Sequence, residues 1–257
     1  MTYALVTGAS KGIGKAIAEE LAKKNFNILL VARSEEQLKK NAQEINEKYK
    51  VQTDYLAVDL SSTSAPAEIF NWCSKKNYTV QVLVNNAGYG LSGHFERFSV
   101  DDNTNMMQLN MIALVQLTQL FLPVLKSQNK SYILNISSSA AYQAVPYLSL
   151  YSATKAFVLS FSRGLQQELK KTSVSVTCIS PGSTDTGFAS RAQLGEKGLK
   201  TAEKVNMTPE AVAAIAVKSM LNGKTEVIVG FVNKLGAFLA WLLPKKLVEI
   251  TAMKIYE

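Results

Sequence analysis

The sequence predicts a single α/β domain, a doubly wound parallel sheet of seven strands with helices on both faces. Three observations predict it. Short apolar, β-branched runs alternate with longer stretches of helical period, which implies parallel strands joined by right-handed crossovers. The early runs "YALVT", "NILLVA" and "QVLVN" are nearly all apolar, as strands covered on both faces are. No Pro/Gly/Ser linker, repeat or low-complexity tract interrupts the 257 residues, so one domain over 1–257 is expected.

The elements follow in order. A strand over 4–7 meets a glycine cluster, and a helix over 13–24 follows it. A strand over 27–32 leads into a helix over 35–49, with Glu35 and Glu36 in the first turn, where the helix dipole favours acids. Next come a strand over 53–58, a helix over 65–76 and a strand over 81–84. A long helix over 101–126, a strand over 132–136, a helix over 150–171 and a strand over 174–179 continue the rhythm. A helix over 209–221 and a strand over 226–229 complete it. Two stretches break the pattern. Residues 183–207 are polar, with Gly187, Gly195 and Gly198, and a loop of that length inside a domain is usually functional; they are expected to form a substrate lid. Residues 231–257 form an apolar, basic C-terminal extension.

Composition bounds the function. A net charge of +8 admits nucleic acid, anionic membrane or a phosphate-bearing ligand. The lysines are scattered, without the aromatic interleaving of a nucleic-acid groove, so a solvated surface is the simpler reading and no nucleic-acid partner is expected. Cys73 and Cys178 form no CxxC pair and His94 is the sole histidine, which leaves no Cys/His metal site and suits a reducing compartment. No leader precedes the first strand, and no stretch approaches the length of a spanning helix, the nearest being "LGAFLAWLL". A cytoplasmic protein is therefore expected.

The glycine cluster is Gly8-x-x-x-Gly12-x-Gly14, between the first strand and the first helix. Bare backbone there lets a pyrophosphate reach the helix N-terminus. The second strand ends at Arg33, 19 residues after Gly14, where an NAD site would carry an acid for the ribose 2′-OH. Arg33, with Lys11 inside the glycine loop, suits a 2′-phosphate, so NADP(H) is expected in preference to NAD(H).

Five ordered stretches, "TGASKGIG" (7–14), "NNAG" (85–88), "NISS" (135–138), "YSATK" (151–155) and "PG" (181–182), resemble the motif series of the short-chain dehydrogenase/reductase family. Each is modest alone; together they are specific. The resemblance implies a seven-stranded Rossmann sheet and an oxidoreductase. Tyr151 and Lys155, four apart, share one helix face. A nearby ammonium stabilises phenolate, which makes Tyr151 the proton donor in carbonyl reduction and the base in reverse. Ser138, 13 residues before Tyr151, is placed to bind the carbonyl oxygen. Taken singly, such a Tyr–Lys pair is usually a surface contact and a serine after a strand usually a turn; their joint occurrence favours chemistry. The resemblance adds Asn110 as the fourth catalytic residue, holding a water that relays protons to Lys155, and gives Lys155 the nicotinamide ribose. It also implies cofactor contacts from Ser10, Ile13, Asn86, Ala87, Gly88 and Pro181, from Asp59 near the adenine, and from Gly182, Thr184 and Thr186 near the nicotinamide.

The expected activity is NADPH-dependent reduction of a ketone or aldehyde on an apolar body, acyl and other lipid-like substrates included. Tyr89, His94, Ala140, Tyr142, Gln143, Val145, Tyr147 and Phe188 are candidate pocket residues. A non-catalytic NADP-binding redox sensor and an epimerase or dehydratase are the alternatives. The helices at 101–126 and 150–171 match the family's subunit contacts, which implies a homo-oligomer, a dimer or tetramer. For the tail, subunit packing or cleft cover is favoured over membrane contact.

Overall fold

The computed structural model describes residues 2–185 and 206–256. Seven parallel strands run β1 (Thr2–Thr7), β2 (Asn27–Ala32), β3 (Thr53–Ala57), β4 (Thr79–Asn85), β5 (Ser131–Ile136), β6 (Val174–Ser180) and β7 (Glu226–Ile228). Their order in the sheet is β3-β2-β1-β4-β5-β6-β7, so the winding reverses between β1 and β4. The expected fold class is the one observed.

Alternation along the strands assigns the two faces. Ala4 and Val6 of β1 and Ile28 and Leu30 of β2 join one core with α1 (Gly12–Ala22), α2 (Glu35–Tyr49) and a helix at Pro209–Leu221. Leu5, Leu29 and Val31 join the other, with α3 (Ala65–Lys75), the helix Ala113–Lys126 and the helix Ser149–Glu168. Local chemistry sets several helix starts. Glu35 and Glu36 occupy the first turn of α2. Ser99 and Asp102 form a reciprocal capping box at the start of α4 (Val100–Met107). Thr208 Oγ1 accepts from Ala211 N ahead of Pro209.

The long helix expected over 101–126 departs from a simple α-helix. α4 passes through a π-helical turn at Gln108–Ile112 into α5 (Ala113–Lys126). The whole stretch Val100–Lys126 is long and apolar enough, by length and composition, to cross a membrane, contrary to the expectation that no stretch approaches that length. Here Ala113, Leu117, Phe121 and Leu125 are buried on the sheet, and such a core helix passes the same compositional test. After α6 (Ser149–Glu168) and α7 (Pro209–Leu221), the extension forms two further helices, α8 (Phe231–Leu242) and α9 (Lys245–Tyr256).

The stretch expected to be a lid is described only at its ends. Thr184 bridges Met207, Met207 N donates to Ser183 O and Asp185 N to Met207 O, both at 3.2 Å. Thr186 and Phe188, like most of that stretch, lie outside the described residues.

Candidate active site

In an open doubly wound sheet, ligands bind at the carboxyl ends of the strands, where the strand order reverses. Here that crevice opens beyond Thr7 and Asn85. Gly8 and Gly12 adopt left-handed backbone, with φ of 66° and 58°, which favours glycine. A Cβ on Gly14 would overlap Gly8 O, so Gly14 lets α1 close on the loop. Lys11 caps α1 without a side-chain bond, and the first turn carries no acid. The N-terminal dipole end is therefore not neutralised by its own helix, which suits an anion. The cradle fits a dinucleotide pyrophosphate.

Thr7 and Asn41, not anticipated as participants, help to hold this cradle. Thr7 Oγ1 donates to Val84 O (3.1 Å) and accepts from the N–H groups of Asn86 (3.0 Å) and Ala87 (3.1 Å). Asn86 Nδ2 donates to Thr7 O and Gly8 O, so its amide ties the loop to β4. Asn41, fully buried on α2, donates to Ala9 O and Ser10 O. Only the polar residue in the apolar stripe of α2 hinted at Asn41. Ile13 packs against the adjoining core. At the end of β2, Arg33 Nη1 lies 3.6 Å from Asp59 Oδ2 and both side chains are half-exposed. Burial raises the Asp59 carboxyl, but bonds from Ser61 and the Arg33 guanidinium outweigh it and hold the group below its ordinary value. The two expected cofactor residues thus form one charged pair at the rim.

Lys155 lies beside Tyr151 and meets Asn110 at Gly88. Lys155 is 5% exposed. Its ammonium donates to Ile136 O at 2.9 Å and lies 5.8 Å from the centre of the Tyr151 ring. Burial lowers its pKa to about 8. Ser137 Oγ donates to Lys155 O at 2.7 Å, which locks the end of β5 to α6. A Cβ at Gly88 would come within 3.0 Å of Asn110 Oδ1 and 3.4 Å of Lys155 Nζ, so Gly88, Asn110 and Lys155 meet. Asn110, on the π turn, is buried. Its Nδ2 donates to Tyr89 O (2.9 Å) and Thr154 Oγ1 (3.0 Å), and its Oδ1 accepts from Tyr89 N (3.1 Å). Both amide protons are spent, so a water at Asn110 would have to donate to it. Thr154 in turn donates to Tyr151 O, an internal link the motif reading passed over.

Ser138 sits at the end of β5 and caps a short 3-10 turn, Ser139–Tyr142. Its Oγ accepts from Ala140 N at 3.1 Å, which leaves its proton to donate. Ser139 N donates to Pro181 O at 2.8 Å, joining this turn to the Pro181-Gly182 loop. Tyr151 is buried among Met106, Val145, Leu148 and Ala252, with Tyr89 and Ala140 alongside. Thr184 Oγ1 donates to Gly182 O.

The walls show where three candidates lie. The Tyr142 hydroxyl donates to Glu226 Oε1 at 2.8 Å, and its ring packs beside Cys178 on the α5–α6 side. His94 is largely exposed and stacks edge-on against Tyr147, with ring centres 5.0 Å apart. The space above Gly182, expected to admit a nicotinamide ring, is occupied on its Cβ side by the Asn233 carboxamide of α8. Asn233 itself donates to Val229 O at 2.6 Å. Both cysteines are buried, and burial raises their thiols to about 12 at Cys73 and about 11 at Cys178, which makes them unreactive core residues. Among the described residues no cluster of metal-binding side chains occurs.

Comparison with known proteins agrees with this geometry. Residues 2–197 match the short chain dehydrogenase family. The very-long-chain 3-oxoacyl-CoA reductase-B of Danio rerio is 34% identical, over 86% of this chain and 76% of that one. The very-long-chain 3-oxoacyl-CoA reductase of Bos taurus is 37% identical, over 86% and 70%. A short-chain dehydrogenase from Sphingobium yanoikuyae, solved in complex with NADPH, superposes with a TM-score of 0.80 at 27% identity, over 93% of this chain and 92% of that one. With a glycine cradle at the winding reversal and a buried lysine behind a tyrosine on α6, the chain belongs to the short-chain dehydrogenase/reductase family and is an NAD(P)-dependent oxidoreductase.

Proposed function

We propose that this enzyme reduces the keto group of a long-chain 3-oxoacyl thioester, or of a ketone on a similarly apolar body, with NADPH as cofactor. The carrying observation is the buried Lys155 ammonium, held by Ile136 O beside the Tyr151 ring. Gly8, Gly12 and Gly14 would hold the pyrophosphate, and Lys11 and Arg33 the 2′-phosphate. When bound, NADPH supplies the hydride. Tyr151 gives its phenolic proton to the carbonyl oxygen, and the adjacent ammonium stabilises the phenolate that remains. Ser138, whose Oγ already accepts from Ala140 N, donates to the same oxygen and shares its developing charge. A water bonded to an acceptor on Asn110 returns a proton through Lys155. Two supports bear on the substrate: the apolar side chains around Tyr151, and the 3-oxoacyl-CoA reductases among the relatives.

The test is NADPH oxidation against 3-oxoacyl thioesters of increasing chain length, with simple ketones and aldehydes beside them. Activity should rise with acyl length. Tyr151→Phe should still bind NADPH, as seen by nucleotide fluorescence, yet lose turnover by a factor on the order of 10² or more. Near-full activity in that variant would remove Tyr151 from the proton-donor role.

A further inference from the structure

The two terminal helices are built inside out. On α8 the residues turned to the body are Asn233, Ala237 and Ala240, and only Ala240 is fully buried. The residues turned outward include Phe231 (79% exposed), Phe238 (54%) and Trp241 (74%). On α9, Ala252 is buried against the Tyr151 cluster while Leu247 and Ile250 are exposed. Among the described residues, eleven of the fifteen exposed large apolar side chains fall within 231–253. A helix normally buries its large apolar side chains and exposes its small or polar ones, and contiguous exposed apolar surface marks an interaction site.

We infer that α8 and α9 dock this enzyme on the surface of a membrane containing anionic lipid. Charge decides between that and a second copy of the chain. Lys234, Lys245, Lys246 and Lys254 are exposed on the same two helices, and none forms an ion pair with a described carboxylate. A two-fold contact would set this patch against itself and bring the four lysines, on a chain of net charge +8, against four more. An anionic bilayer meets them with opposite charge and takes up the apolar side chains between them. The exposure thus adds membrane contact to the cleft cover that the sequence favours for the tail. The location is productive as well. Asn233 lies over Gly182 and Ala252 against the Tyr151 cluster, so docking would hold the catalytic crevice beside the bilayer. The inference does not depend on which carbonyl is reduced.

The experiment uses the full chain and two vesicle preparations, phosphatidylcholine alone and phosphatidylcholine mixed with phosphatidylglycerol. Trp72 is replaced by Phe, so that Trp241, the other of the two tryptophans, reports insertion. Expected are co-sedimentation with the anionic vesicles, a blue shift of Trp241 emission, and release by salt. Lys245→Ala/Lys246→Ala should weaken partitioning about 25-fold, roughly fivefold per lysine. Phe238→Ser should weaken it while thermal melting stays unchanged, since exposed substitutions barely affect stability. Absence of binding to either vesicle, or equal binding to both, overturns the inference. So does a concentration-dependent self-association that Phe238→Ser abolishes, because a second copy would then be the occupant.

Discussion

At the scale of the residue, Lys155 sets a pH dependence whose sign is fixed by its burial. Its ordinary pKa is 10.5, and in the fold it falls to about 8. Between those values the unfolded chain holds a proton that the folded chain has released, so stability rises with pH across about 8 to 10.5. Below about 8 both states are protonated and the burial penalty stands in full. Relative to Lys155→Met, the wild-type apo-enzyme should gain on the order of 3 kcal/mol over that window, measured by urea unfolding at several pH values. Equal slopes for both proteins would refute it. In the same free enzyme, kcat/KM for carbonyl reduction should fall as pH passes above about 8, because the ammonium that supports proton donation is lost. Arg33 gives a second residue-scale expectation. Arg33→Ala should weaken NADPH about tenfold or more while leaving NADH nearly unchanged, read from the ratio of the two KM values. Residues named by spacing, such as Gly14, Tyr151 and Lys155, were legible because a motif fixes their neighbours. Thr7, Asn41 and Thr154 were not, because their partners are backbone atoms far along the chain or one helical turn away, and a polar side chain does not announce its acceptor.

At the scale of the element, boundaries were legible and irregularities were not. The predicted helix at 35–49 matches α2 to the residue, because acids and a clear apolar stripe mark it. The π turn at Gln108–Ile112 left no trace in an apolar helical sequence. Its reason is tertiary: the turn sets Asn110 against Tyr89 and Thr154, and π turns recur at functional sites. Asn110→Ala should cost about 1–3 kcal/mol, the penalty for leaving buried groups unpaired, and should lower kcat more than it raises KM. The approach of α1 to the glycine loop carries a further test. Gly14→Ala places a methyl on Gly8 O, so it should weaken dinucleotide binding at least tenfold and lower the melting temperature; titration calorimetry and a thermal scan report both. The faces of α8 were illegible for another reason. Sequence shows which residues are apolar, but an inside-out helix can be recognised only once its contact face is known.

At the scale of the whole molecule, the strand–helix alternation carried the architecture, and the strand alternation carried both cores. Phe121, buried on α5 and packed edge-on against Phe70 at 5.2 Å, belongs to the core under α3 and α5. Phe121→Ala should destabilise by about 3–5 kcal/mol, seen as a shift in denaturant midpoint without loss of the sheet's circular dichroism. A buried amide chain ties the centre of that sheet together. Asn85 donates to Asn135 Oδ1 (2.9 Å), and Asn135 donates to Ser162 Oγ (2.9 Å). Finally, the pairing of 183–185 with 206–207 means that the chain leaves the scaffold and rejoins it at neighbouring points. Closure entropy changes only slowly with length, so a few residues inserted or removed between those two anchored ends should leave the nucleotide cradle and the proton-transfer residues where they are.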